Sequence, residues 1–203
     1  MNQNKIYIAS MNHRGKWALP LDEKSIKINV TSAQSTKSKN RIDFSPMTPI
    51  PGSYKGFWNF ESYWQSGKVF EDIPHEISKQ WWLNNKEPKR RYPNSKHKKV
   101  LFASWKHIQK LGYIESRKKI YVPEYAQLIQ NKEQFIFYKN EYAKGKSFTI
   151  YDFDGPRLEN GEPTCLEVNQ EMLIQKINDP TFPFGHGYIV ASLLANIPIT
   201  TFS

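Results

Sequence analysis

The sequence predicts an α+β fold, mostly α-helical with a few short strands, in a single domain spanning residues 1–203. Three observations carry that expectation. Short apolar segments bounded by turn residues, at 5–10, 25–30, 147–153 and 165–168, read as strands. Longer segments with apolar residues three and four apart, opened by Asn or Pro and closed by Gly, read as helices. The 203 residues include 38% hydrophobic and 14% aromatic side chains, enough for the core of one ordinary domain.

The elements follow in order. Residues 5–10 (KIYIAS) and 25–30 (SIKINV) are strands, and His13, Arg14, Gly15, Lys16 and Trp17 between them form a basic turn. The polar segment 31–41 carries Lys37, Lys39 and Arg41 and no acid. It reads equally as a surface loop and as a loop closing over phosphates. Three prolines in 43–51 leave little room for regular structure. Asn59 is placed to cap a helix running to about Phe70. Pro74 begins a second helix, 75–85, which contains Trp81 and Trp82. Neighbouring side chains on a helix point about 100° apart, so one ring is core and the other offers a stacking face.

Segment 84–99 is the most basic block, with Lys89, Arg90, Arg91, Lys96, Lys98 and Lys99 around two prolines. It is either a solvated linker or a patch that follows a phosphate backbone, with Tyr92 and Trp105 available for stacking. Asn94 or Ser95 then caps a helix through Leu111, ended by Gly112. Pro123 starts an amphipathic helix to about Lys144, with Tyr125, Leu128, Ile129, Phe135 and Phe137 toward the core. A strand over 147–153 leads into a turn with Asp152, Asp154, Gly155 and Arg157. Asn169 caps a helix to Ile177, and a Pro- and Gly-rich stretch precedes a last apolar helix, 189–194.

The formal charge of +10 and a pI near 9.5 favour polyanionic partners such as nucleic acid, nucleotides or sugar phosphates. Cys165 is the single cysteine, which excludes an intramolecular disulfide and argues against a Cys-based zinc site. No apolar run approaches the roughly 18 residues of a membrane span, and the first residues do not read as a signal peptide. The expectation is an intracellular, cytoplasmic protein with no membrane partner; its oligomeric state stays open.

Candidate chemistry centres on 54–70, YKGFWNFESYWQSGKVF. On one helix Glu61, Gln65 and Lys68 share a face at i, i+4 and i+7, while Phe60, Tyr63, Gly67 and Phe70 share another. The polar face is either solvated or a site. Asp152 at a strand end is a candidate acid, whereas Asp154 in Asp-Gly-Pro suits an Asx-type turn. Gly185, His186 and Gly187 open a helix, where backbone N–H groups bind an anion or the glycines allow close packing.

Asp43, Phe44, Ser45, Pro46 and Met47, then Gly52, then Tyr54, Lys55, Gly56, Phe57 and Trp58, and then 61–70 resemble the NADAR superfamily of YbiA-like proteins. Its helix has the form Glu-His-Tyr-(Tyr/Phe)-Gln-(Ala)-x-Lys-Phe. Glu61, Tyr63, Gln65 and Lys68 land on matching positions, Ser62 stands at the usual His, and Val69 delays the last Phe by one. The match covers 43–70. Asp179 and the Gly185-His186-Gly187 turn echo later family features, as does a tryptophan at the distance of Trp81 or Trp82.

The resemblance implies an α-rich fold and N-glycosidase chemistry on ribosylated bases or ADP-ribose conjugates, needing no metal and no cofactor. It implies Glu61 as the carboxylate facing the sugar C1, with Asp179 and Asp152 competing as a second acid. Trp82 or Trp81 would stack the base, with Trp82 preferred. Lys68, Gln65, Tyr63, Arg41, Gly185, His186 and Gly187 would contact the rest of the substrate. The charge and the basic block favour ADP-ribosylated guanine in DNA, in single strands, as substrate, with removal of the ADP-ribose serving defence or counter-defence. The alternatives are a free ribosylaminopyrimidine phosphate of riboflavin synthesis, and a non-catalytic module that binds nucleic acid or ADP-ribose.

Overall fold

A computed structural model describes residues 4–12, 16–32, 37–105 and 108–203, with backbone alone at 108 and 109. His13, Arg14 and Gly15 of the expected basic turn, and 33–36 of the polar segment, lie outside the described residues. In chain order the elements are β1 (Ile6–Ser10), β2 (Ile26–Asn29), α1 (Lys39–Phe44), α2 (Phe60–Ser66), β3 (Lys68–Phe70) and α3 (His75–Asn84). Then come β4 (Val100–Trp105), β5 (Ile108–Leu111), α4 (Tyr113–Ser116), a π-helical turn (Arg117–Tyr121), α5 (Val122–Ile129) and α6 (Glu133–Ala143). The chain continues with β6 (Phe148–Asp152), β7 (Cys165–Glu167), α7 (Gln170–Asn178), α8 (His186–Leu194) and a short 3-10 turn (Ile199–Thr201). The architecture is α+β.

The chain forms two compact units, one from Met1–Ser45 with Val122–Ser203 and the other from Pro46–Tyr121. In the first, a four-stranded sheet has the order β2-β6-β1-β7. β6 pairs in parallel with β1 and with β2, and β7 runs antiparallel to β1. β1 and β6 are buried at every residue, as central parallel strands are. The apolar α8 packs on both of them, with α5 and α6 packed on α8. Ile6, Ile8, Ile28, Phe148, Ile150, Tyr125 and Ile189 make this core.

The second unit holds a three-stranded antiparallel sheet, β3-β4-β5, and the packed pair α2 and α3. Its core is aromatic: Phe60, Tyr63, Trp64, Trp105 and Tyr121 meet at ring-centroid distances of 5.0–6.4 Å. Four of these pairs are tilted and one is stacked, arrangements that add to the burial of the rings' own area.

Several expectations are corrected. The helix expected to reach Phe70 stops at Ser66. A Cβ at Gly67 would sit 2.1 Å from the Trp105 indole, and Ser104 N–H donates to Gly67 O at 2.7 Å, drawing the chain into β3. The helix expected through Leu111 is instead the hairpin β4–β5, because pairing with β3 outweighs local preference. The helix expected over 123–144 breaks between α5 and α6. Lys132 N–H closes a turn onto Ile129 O at 2.9 Å, and Asp43 Oδ2 accepts from Gln134 N–H at 3.0 Å, restarting the helix. That break rotates the inward face, so Phe137 is 52% exposed and Tyr138 is buried. Helix α8 begins at His186, ahead of 189, and Arg41 lies in a helix rather than a loop.

Candidate functional site

In the Pro46–Tyr121 unit the motif's spacing has a local cause. The Asn59 side chain accepts from Ser62 N–H at 2.7 Å, as an N-cap does, and donates to Met47 O at 2.9 Å. Glu61 N–H donates to Pro46 O at 2.8 Å. The segment ahead of the helix is thereby fastened to its first turn.

Glu61 sits in that first turn, half-buried, where the helix dipole favours a carboxylate. Gln65, buried one turn on, donates from Nε2 to Glu61 Oε1 at 2.6 Å and fixes the carboxylate's rotamer. Lys68 does not join them on α2, since it lies half-buried on β3 opposite Ala103. On α2 the shared face is therefore that of Glu61 and Gln65.

Tyr63 is buried. Its carbonyl accepts from Trp105 Nε1 at 3.1 Å, and its hydroxyl lies 3.4 Å from Lys55 Nζ, which also sits 4.7 Å from the Tyr63 ring centroid. Lys55 was not among the site residues expected from sequence. It stands on a tight hairpin, with Tyr54 and Phe57 exchanging backbone hydrogen bonds of 2.7 and 2.9 Å and with φ of 52° at Lys55 and 90° at Gly56. Lys-Gly between two aromatics is the available signal for such a turn.

Trp82 is fully buried, so the preferred stacking residue is core and presents no ring face to a base. Its Nε1 and Ser62 Oγ have no hydrogen-bond partner among the described residues. Trp81 is half-buried and lies edge-on to Trp82 and to Tyr92, at 4.7 and 5.5 Å. Trp105 is half-buried and spends one ring face on Trp64, stacked at 5.5 Å and 22°. Lys89, Arg90, Arg91, Lys96, Lys98 and Lys99 are all exposed. Part of this block lines an open depression of about 610 Å³ with Glu71, Asp72, Asn94, Lys96, His97, Lys98 and Lys99 around it.

In the other unit Asp152, Gly185, His186 and Gly187 do come together, with an internal purpose. Asp152, 1% exposed at the end of β6, accepts Gly187 N–H at 2.9 Å and lies 3.3 Å from His186 Nδ1. His186 Nε2 is 2.7 Å from Val30 O. A carbonyl only accepts, so Nε2 carries the hydrogen. The anion at this helix start is thus the chain's own carboxylate. A Cβ at Gly185 would meet Asp152 Oδ2 at 2.7 Å, and one at Gly187 would meet Asp152 Cβ at 2.6 Å. Both glycines serve close approach, which corrects the reading of this turn as a phosphate cradle and of Asp152 as a reacting acid.

Asp179 closes α7, and its Oδ1 accepts Thr181 N–H at 2.8 Å in a local turn. Arg41 Nε donates to Thr31 O at 2.8 Å. Arg157 donates to the carbonyls of Phe153 and Gly161 at 3.0 and 3.2 Å. Burial, with the Asp152 charge, holds the Tyr125 hydroxyl well above its ordinary range, and that hydroxyl donates to Phe44 O at 2.5 Å. Among the described residues no helix is long and apolar enough to cross a membrane, and no three His, Cys, Asp or Glu side chains gather as metal ligands would. No protein-family model, curated protein or solved structure matches the chain.

Proposed function

We propose that the protein is an N-glycosidase that hydrolyses a ribose–base bond, removing ADP-ribose from guanine in single-stranded DNA. The observation that carries this reading is the Glu61–Gln65 pair: a half-buried carboxylate at a helix start, oriented by a 2.6 Å hydrogen bond. The resemblance of 43–70 to NADAR proteins and the exposed basic block support it.

In this mechanism the C1–N bond lengthens and positive charge builds on the sugar, as in an oxocarbenium-like transition state. Glu61 stabilises that charge and takes a proton from the water that attacks C1, while the departing guanine gains a proton from solvent. Gln65 holds Glu61 in place. Asp152, engaged by Gly187 and His186, is not the second acid.

The test is incubation of wild type and Glu61→Gln with guanine-ADP-ribosylated single-stranded DNA, read by mass spectrometry. Wild type should remove the ADP-ribose mass, and Glu61→Gln should be slower by about 10²-fold or more. Cleavage by both at equal rate would keep the reaction and remove Glu61 from it. DNA left intact by folded wild type would overturn the substrate, and a free ribosylaminopyrimidine phosphate would be tried next with the same two proteins.

A further inference from the structure

Segment 85–99 is built, not loose. Ser95 N–H donates to Tyr92 O at 3.2 Å, closing a turn with Pro93 and Asn94 at its centre, and Asn94 has a φ of 60°. Lys98 N–H then donates to Ser95 O at 3.1 Å, closing a second turn on Lys96 and His97. The pivot residue is buried, and the Ser95 hydroxyl donates to Tyr92 O at 2.7 Å. A basic segment pre-set in two successive turns loses less entropy on meeting a ligand than a free linker does.

Five of its cations divide into two sets. Lys98 is closed onto Asp72 at 2.6 Å and Lys89 onto Glu87 at 2.8 Å, both pairs exposed. Arg91, Lys96 and Lys99 form no ion pair among the described residues. Beside them Tyr92 and Trp81, both half-buried and 5.5 Å apart at 82°, provide aromatic surface for unstacked bases.

We infer that this double turn is a single-stranded nucleic-acid clamp whose affinity is held down by Asp72 and Glu87. Phosphates take Arg91, Lys96 and Lys99 first, while Asp72 and Glu87 compete with further phosphates for Lys98 and Lys89. Exposed ion pairs are weak, so the two acids lower the affinity without closing the site. The clamp shares with the proposed function only its polyanionic substrate. Binding of an unmodified strand is scored without turnover, so the two readings fail separately.

The experiment is fluorescence anisotropy with a labelled single-stranded thymidylate oligomer and its duplex with adenylate, across about 50–200 mM salt. For single strands log K falls with log salt by about 0.7 for each phosphate neutralised, so three cations give a slope of about −2. Asp72→Asn with Glu87→Gln should bind more tightly and steepen the slope to about −3.5 as two more lysines join. Arg91→Gln with Lys96→Gln and Lys99→Gln should flatten the slope and weaken binding at least tenfold; these side chains are exposed, and circular dichroism checks their fold. No binding by wild type at about 50 mM salt overturns the clamp. A slope unmoved by releasing Lys98 and Lys89 overturns the role of the acids, and a duplex held as tightly as the single strand overturns the strand preference.

Discussion

At the residue scale, Asp152 and Gly187 show how little room this chain leaves around its buried carboxylate. Gly187→Ala would drive a methyl to 2.6 Å from Asp152 Cβ and 3.1 Å from Ile8 Cδ1, inside van der Waals contact. The expected loss is about 1–3 kcal/mol, the usual cost of overpacking a tight core. Urea unfolding read by circular dichroism checks it; an unchanged midpoint would mean that the strand end yields more easily than its neighbours suggest. Glu61 and Gln65 were legible in the sequence because i, i+4 spacing on a helix needs no tertiary information. The pairing of Asp152 with His186 and Gly187 was not, since parallel pairing of β1 with β6 and packing of α8 on them create it. Trp81 and Trp82 are a similar case: neighbouring rings on α3 are told apart only by tertiary packing, which buries Trp82 fully and Trp81 by half.

At the scale of elements, the junction of α2 and β3 turns on a single missing side chain. Gly67→Ala places a methyl inside the Trp105 ring, so the indole must move or the strand must leave. Loss of near-UV tryptophan circular dichroism and a destabilisation of about 1–3 kcal/mol are expected; native spectra with native stability would show that the ring is not seated there. Helix α6 ends with a second local device. Glu141 holds Lys144 and Lys146 by hydrogen bonds, and those bonds pull its carboxyl down to about 2 from 4.5. A depressed folded-state value means this contribution is complete above about 4.5 and is lost as pH falls toward 2. An NMR titration of the Glu141 side chain should find its midpoint near 2, and a value at 4.5 would dismiss the pairs.

Capping residues announced themselves well at this scale. Asn59 and Asn169 both accept the N–H three residues on, at 2.7 and 2.9 Å, as their positions in the sequence suggested. The hairpin β4–β5 did not, because β4 is held across the ladder between β3 and β5 rather than by its own apolar pattern. The break between α5 and α6 was hidden for a related reason: Asp43, 91 residues away from Gln134, supplies the new helix's first anchor.

At the scale of the whole molecule, Cys165 offers a natural reporter. It is 5% exposed on β7, and burial pushes its thiol above the ordinary range, so both access and thiolate fraction are low. A disulfide reagent at mildly alkaline pH should label the native protein at least about 10²-fold more slowly than the urea-unfolded chain. Equal rates would mean that β7 opens freely from the sheet edge.

The register of β1 against β6 also sets an order of events when the chain is made. Lys5 N–H bonds to Ser147 Oγ across 142 residues, so the first strand leaves the ribosome long before its partner exists. At about 5–20 residues per second the wait is on the order of ten seconds, during which the whole of Pro46–Tyr121 emerges. That middle portion can therefore mature while the apolar run IYIAS is still unmatched, and it is in this interval that a nascent chain has most need of a chaperone.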